Sequence, residues 1–155
     1  MRPINRPIRW GILGTGAIAA AFATALRQVT DATLFAVGSR SQTSADDFAQ
    51  THDVGRAFAS YAELAADPDV DVVYIANPHT AHFEHTMLCL GAGKHVLCEK
   101  PFALNSTQTE QMVALAKHNG LFLMEAMWMR FIPLIIELRR RVDAGEIGQV
   151  RMIQA

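Results

Sequence analysis

Cysteine is nearly absent from this chain. Cys89 and Cys98 stand nine residues apart and form no C-x-x-C pair, which argues against a disulfide framework or a cysteine metal centre; each is expected to be a buried, reduced thiol. Charge of one sign is lacking too. The formal net charge is -1 at pH 7, so no electrostatic footprint for nucleic acid or an anionic membrane is present. Long apolar runs are missing: the most hydrophobic late stretch, Leu121 to Met129, is broken by Glu125, and no membrane partner is expected. Met1 to Arg9 carries three arginines and two prolines without an apolar core, so no leader is visible and a cytoplasmic protein is expected. Internal repeats and low-complexity linkers are also absent. What remains is a chain of 155 residues, half of them hydrophobic, enough for one domain and part of a second.

The stretch around which this domain is organised runs from Trp10 to Phe22. A short apolar run ending at Leu13 is broken by Gly14-Thr15-Gly16, and Ala17 to Gln28 is free of internal Gly and Pro. That pattern predicts strand, tight turn and helix. Gly14, Gly16 and Ala19 carry the G-x-G-x-x-G/A spacing of a dinucleotide-binding turn, in which small residues let the backbone approach a pyrophosphate and the helix pack on the strand. The unpaired N–H groups that open the helix suit phosphate.

Downstream, strand and helix signals alternate. Thr33 to Gly38 predicts a strand, Ser41 to His52 a helix, Arg56 to Phe58 a short strand, and Ser60 to Glu63 a capping box before a short helix. Val70 to Ala76 predicts a buried strand, Ala81 to Leu90 a helix, His95 to Cys98 a strand, Asn105 to His118 a capped helix and Leu121 to Met124 a further strand. A helix begins near Pro133 and ends before Gly145. The expected fold is α/β, a doubly wound parallel sheet of Rossmann type, with residues 1–131 as the dinucleotide-binding domain. Residues 132–155 are expected to be a connecting helix followed, from Val150 to Ala155, by only the first strand of a second, α+β domain.

Ligands of such sheets bind beyond the carboxyl ends of the strands. Gly14 to Gly16, Ser39-Arg40, Asn77-Pro78 and Glu99-Lys100-Pro101 all fall at strand ends on that edge. The segment from Ala32 to Ala45 contains no acid and presents Gly38-Ser39-Arg40. A carboxylate there would accept from a ribose 2'-hydroxyl, whereas an Arg pairs with a 2'-phosphate, so NADP is the expected cofactor; a solvated Arg40 is the alternative. Among only three lysines, Lys94 and Lys117 sit near helix ends and Lys100 directly follows an apolar strand. Lys100 is the one placed for chemistry, with a plain ion pair as the alternative. His79, His82 and His85 recur every third residue but bring no carboxylate pattern of a metal site, and no metal is expected.

The combination G-I-L-G-T-G-A-I-A, A-N-P-H-T-A-H and C-E-K-P, in this order and spacing, resembles the Gfo/Idh/MocA oxidoreductases over nearly the whole chain. V-G-S-R, L-C-E-K-P-F and L-F-L-M-E-A-M-W-M-R-F-I-P are similar to the branch that holds trans-dihydrodiol and NADP-dependent D-xylose dehydrogenases. The resemblance implies that Gly14, Thr15, Gly16, Ala17 and Ile18 hold the pyrophosphate and that Ser39 and Arg40 hold the 2'-phosphate. It implies that Asn77, Pro78 and His82 border the adenosine and ribose, and that Glu99 and Lys100 lie by the nicotinamide ribose. Lys100 would orient the substrate hydroxyl or carbonyl and relay its proton. Trp128 would line an apolar substrate pocket, with a core or interface role as the alternative. The implied function is an NADP-dependent dehydrogenase acting on CH–OH of a sugar or dihydrodiol, a homo-oligomer when full length, with the 155-residue chain alone expected to be inactive because it holds the cofactor domain without its substrate domain. A nucleotide-binding module without turnover, or a redox sensor, is the alternative.

Overall fold

The computed structural model describes residues 6–154; the first five residues of the expected cofactor domain and Ala155 of the expected last strand lie outside them. The chain builds six strands: β1 (Ile8–Leu13), β2 (Ala32–Gly38), β3 (Arg56–Phe58), β4 (Val72–Ile75), β5 (His95–Cys98) and β6 (Leu123–Glu125). They form one all-parallel sheet in the order β3-β2-β1-β4-β5-β6. Between and after them lie α1 (Ala17–Leu26), α2 (Gln42–His52), α3 (Tyr61–Ala66), α4 (His82–Gly91), α5 (Ser106–His118) and α6 (Pro133–Asp143). The doubly wound sheet expected from the alternation is therefore present, and the helix starts follow the caps. Ser41, Ser60 and Asn105 side chains accept from Ser44, Glu63 and Gln108 main-chain N–H groups, satisfying donors that a helix start leaves unpaired.

Period-two alternation sends successive strand residues to opposite faces. Ile12, Val37 and Tyr74 face α1 and α2, with Ala19, Ala23 and Phe48 closing that core. Leu13, Val73, Ile75, Val96 and Cys98 face the other side, where Leu64, Cys89, Leu90 and Ala116 pack. Ile12, Leu13, Val73 and Ile75 are each 0% exposed, and truncating Ile12, Leu13 or Ile75 to Ala costs about 2 to 5 kcal/mol. The register of β1 slips between Trp10 and Gly11. A Cβ at Gly11 would sit 2.9 Å from Leu64 Cδ2, so the glycine there lets α3 approach the sheet.

The amino-terminal edge of the sheet is fastened by charge. Phe35 lies between two guanidinium groups, Arg9 at 4.9 Å and Arg56 at 4.6 Å from its ring centre. Arg9 reaches Asp69, Arg56 reaches Asp67 and Asp69, and Arg6 reaches Asp71. Lys94 is buried and donates to the carbonyls of Asp67 and Val70. Its ammonium thus serves the loop after α3 rather than the end of its own neighbouring helix, and burial lowers its pKa.

After β6 the chain makes a 3-10 turn, Trp128–Phe131, and enters α6 with Pro133 in its first turn, where a proline costs no hydrogen bond. Arg140 and Arg141 pair with Glu137 and Glu146 on the solvated side of α6. One expectation is corrected here. Residues 150–154 form no strand, because a strand needs a ladder partner and no described segment pairs with them.

Burial alone would raise the Asp67 and Asp71 carboxyls. Hydrogen bonds from Arg56 and the Asp69 N–H at Asp67, and from Arg6 and the Arg9 N–H at Asp71, outweigh it and hold both below the usual carboxylate range. Since the folded chain holds these protons less tightly than the unfolded chain, the stabilisation is complete above about pH 4 and is lost as pH falls through the lowered folded values. Asp67→Asn is expected to lower the thermal midpoint at pH 7 by about 3 to 6 °C and to flatten the loss of stability below pH 4. Calorimetry at several pH values checks this, and an unchanged midpoint at pH 7 would show that the Arg56 pair carries no stability.

Candidate functional site

The parallel register brings the strand ends level. Phe58, Gly38, Leu13, Ile75, Cys98 and Glu125 stand in one row across the sheet. Everything that follows each of them therefore opens on one edge: Gly14 to Gly16 after β1, Ser39-Arg40 after β2, Asn77-Pro78 after β4, Glu99-Lys100-Pro101 after β5. The order of strands reverses between β1 and β4, where a doubly wound sheet leaves a crevice for ligand.

The two turn glycines are needed for different reasons. Gly14 has φ +107°, and a Cβ there would lie 3.0 Å from the Ala76 carbonyl oxygen, so both the conformation and the approach of the β4 turn demand glycine. Gly16 has an extended backbone and open space where a Cβ would go. It caps α1 without a side-chain bond, and the first turn holds no acid. The opening N–H groups of α1 are thus free of a side-chain cap and reachable from outside, as a pyrophosphate requires. Thr15 is partly exposed, Ala17 and Ile18 are exposed, and Ile18 forms a wall shared by two cavities.

The β4 turn is held from three sides. Asn77 Nδ2 donates to the Tyr61 hydroxyl at 3.0 Å, and His85 Nδ1 donates to Asn77 Oδ1 at 2.9 Å. The His85 ring in turn lies edge-on to Tyr61 at 4.6 Å. Burial lowers the pKa of His85, in keeping with a neutral ring that gives its one N–H to Asn77. His82 is 1% exposed and sets Nδ1 2.7 Å from the Pro101 carbonyl and Nε2 3.0 Å from the Asn77 carbonyl. The ring thereby ties the β4 turn to the β5 turn.

The β5 turn carries the acid and the free cation. Glu99 is 9% exposed; its Oε1 accepts from the Tyr74 hydroxyl at 2.5 Å and its Oε2 from the Lys100 N–H at 3.1 Å. The Lys100–Pro101 peptide is cis. Glu125, at the end of β6, accepts from the Phe102 N–H at 2.9 Å. Lys100 itself is exposed, and its ammonium makes no ion pair or hydrogen bond among the described residues. The ion-pair reading of Lys100 therefore finds no partner there. Ile18, Asn77, Pro78, His79, His82, Glu99 and Lys100 surround one cavity of about 280 Å³. The structure thus gathers Asn77, Pro78 and His82 with Glu99 and Lys100.

Ser39 and Arg40 lie apart from that cavity. Ser39 is buried, its N–H donating to the Phe58 carbonyl at 3.0 Å, and Arg40 is exposed with no ion pair among the described residues. Trp128 is 63% exposed. It closes, with Phe131, Ile18, Phe22, Tyr74 and Leu97, an apolar cavity of about 580 Å³ in which Glu99 is the one charged lining residue. Among the described residues no group of three or more His, Cys, Asp or Glu side chains gathers as metal ligands would. Both thiols are buried; burial pushes Cys89 and Cys98 up to about 12, far from the reactive thiolate range.

The supporting roles of four residues escaped the sequence reading: Tyr61, Tyr74, His85 and Glu125. The two tyrosines are the only ones in the chain, and Tyr74 interrupts an otherwise aliphatic buried strand. A polar tip in such a run must find a partner, which was the signal to follow.

The profile of the Gfo/Idh/MocA oxidoreductase family, NAD-binding Rossmann fold, matches residues 8–127. Trans-1,2-dihydrobenzene-1,2-diol dehydrogenase of Bos taurus is 44% identical over 150 residues, which are 96% of this chain and 45% of that protein. The Homo sapiens enzyme of the same name is 43% identical over the same shares. This chain thus spans about half the length of these relatives. Among solved structures it superposes on the 3-ketoreductase KijD10 of Actinomadura kijaniata, in complex with TDP-benzene and NADP. The TM-score is 0.87 at 34% identity, over 94% of this chain and 46% of that one.

The different surroundings of the two glycines make a separable prediction. Gly16→Val adds a side chain into open space and is expected to leave the thermal midpoint within about 2 °C of the parent, while weakening dinucleotide binding about 10-fold or more. Gly14→Val should do both, unfolding the chain at markedly lower temperature. Thermal melts with and without dinucleotide check the pair; a Gly16→Val chain that binds like the parent would move the pyrophosphate away from this turn.

Proposed function

The chain belongs to the Gfo/Idh/MocA oxidoreductase family, and from that membership we propose that it is the cofactor-holding part of an NADP-dependent dehydrogenase acting on the CH–OH group of a trans-dihydrodiol or a sugar. The observation that carries the reading is the shared cavity in which the free ammonium of Lys100 and the anchored carboxylate of Glu99 meet Ile18 of the first α1 turn. An exposed ammonium and a fixed carboxylate beside the start of α1 support that reading.

The residues fit the group. Gly14, Thr15, Gly16, Ala17 and Ile18 would hold the pyrophosphate with main-chain donors, Ser39 and Arg40 the 2'-phosphate, and Asn77, Pro78, His82, Glu99 and Lys100 the sugar and ring side. A nicotinamide dinucleotide bound there supplies the hydride acceptor. Lys100 is then the catalytic residue: its ammonium orients the substrate oxygen by hydrogen bonding, and in the neutral form its nitrogen takes the hydroxyl proton and passes it to water. Trp128 and Phe131 give the neighbouring cavity an apolar wall. That lining suits the hydrocarbon ring of a dihydrodiol, the substrate in the relatives' name, better than a polyhydroxylated sugar, whose hydroxyls it would leave unpaired.

Two expected outcomes test this. The chain binds NADP(H) more tightly than NAD(H), and Arg40→Ala lowers NADP affinity by about 10- to 100-fold with little change for NAD, the worth of charge-assisted bonds to phosphate. Titration of both cofactors against both chains decides it, and a preference that survives Arg40→Ala would reassign the arginine to the solvated surface. In a chain of the relatives' full length, Lys100→Met lowers kcat by about 100-fold or more while NADP affinity stays within a few-fold. Steady-state kinetics with a trans-dihydrodiol check this; near-parent turnover would make Lys100 structural.

A further inference from the structure

Tyr74 belongs to a strand whose residues, Val72–Ile75, are all buried. Its ring stacks on Phe22 of α1 at 3.9 Å and 20° between planes, so burial and this stacking aim the hydroxyl. That hydroxyl donates to Glu99, whose second oxygen takes the Lys100 N–H. Each carboxylate oxygen thus has a donor, and the carboxylate is fixed at 9% exposure. Burial and then the hydrogen bond to Glu99 push loss of the phenolic proton far above the ordinary tyrosine range, so the donor does not switch off. Glu99 is the one acid that lines both the cavity beside Lys100 and the apolar cavity beside Trp128.

We propose that Tyr74 is a positioning residue which, by fixing the carboxylate of Glu99, makes this site bind the oxidised form of a nicotinamide dinucleotide more tightly than the reduced form. The inference rests on the dinucleotide reading given above. The oxidised ring carries one positive charge and the reduced ring none, while the adenosine, both phosphate linkages and both sugars are the same in the two forms. Any group that treats the forms differently must sense that charge. A carboxylate in open water would do so weakly, because solvent and salt screen it. Glu99 is withdrawn from solvent and held still, and lies at the wall between the two cavities open to the ring half. The opposing cation of the same turn, Lys100, is exposed and its field is screened. Glu125, at the end of the neighbouring strand β6, is engaged by the Phe102 N–H and lines neither cavity.

The test is the ratio of dissociation constants for reduced and oxidised cofactor, measured by titration for NADP+ against NADPH and for NAD+ against NADH. It is run on the 155-residue chain, on Glu99→Gln and on Tyr74→Phe, with thermal midpoints recorded for each. Tyr74→Phe keeps the ring that stacks on Phe22 and removes only the donor. Glu99→Gln is expected to cut the preference for the oxidised form about tenfold, the effect of one partly screened unit charge, and Tyr74→Phe about threefold, as the unanchored carboxylate drifts. A residue that serves only the fold would weaken both forms together and leave the ratio alone. If both forms bind and Glu99→Gln leaves the ratio unmoved, the inference falls while the dinucleotide reading stands. If Glu99→Gln moves the ratio and Tyr74→Phe does not, the positioning role of Tyr74 falls. If no dinucleotide binds, the reading beneath the inference falls as well.

Discussion

The parallel register is the constraint on which the rest depends. Leu13 pairs with Gly38 on one side and Ile75 on the other, and the row continues through Cys98 to Glu125. Because every strand is parallel, this one row sets where every β-to-helix turn begins. The polar residues after β1, β2, β4 and β5 therefore share an edge, although up to 86 positions separate Gly14 from Lys100. A slip of one residue in β4 would move Tyr74 to the opposite face and carry its hydroxyl away from Glu99. The hydrophobic alternation that selects the register, with Ile12 and Tyr74 on one face and Leu13 and Ile75 on the other, is thus also what assembles the site.

The two edges of the sheet use polar groups in opposite ways. At the amino-terminal edge, Arg6, Arg9, Arg56 and Lys94 are engaged by carboxylates or carbonyls, and their charge is spent on holding loops together. At the carboxyl edge the turns are fixed by hydrogen bonds rather than ion pairs, through the Asn77, Tyr61 and His85 cluster and the His82 tie. Cations there, Arg40 and Lys100, have no ion pair among the described residues. Hydrogen-bonded networks withdrawn from solvent rigidify their surroundings, so the turns are set without spending either cation.

The elements were legible because their signals are local. Arg56 to Phe58 and His95 to Cys98 are strands with the limits that apolar pattern and turn residues predict, and Asn105 caps α5 as its sequence position suggests. The glycine turn was legible because main chain at φ +107° tolerates little else. What escaped was the support behind the turns. Tyr61 and Asn77 lie 16 residues apart, Tyr74 and Glu99 lie 25 apart, and no periodicity links such pairs. They meet only because β4 and β5 are neighbours and α3 packs beside them, facts of topology rather than of local pattern. The strand expected from residue 150 onward failed for the converse reason: its alternation is a local signal, and a strand exists only with a partner.

Binding at this edge would draw on two kinds of group with different entropic cost. The α1 donors and the Glu99 carboxylate are already ordered, so a ligand meeting them loses little further protein freedom. Arg40 and Lys100 are long and exposed, and ordering each costs up to about 2 kcal/mol of rotamer freedom. An exposed cation that must first be immobilised contributes little to a neutral contact and much more to a phosphate or a developing alkoxide, where the bond is charge-assisted. The α1 donors would therefore give affinity that is common to related dinucleotides, and the charged groups discrimination: Glu99 between a charged and a neutral ring, Arg40 between ligands with and without an extra phosphate, Lys100 between a hydroxyl and the anion it approaches as the proton leaves.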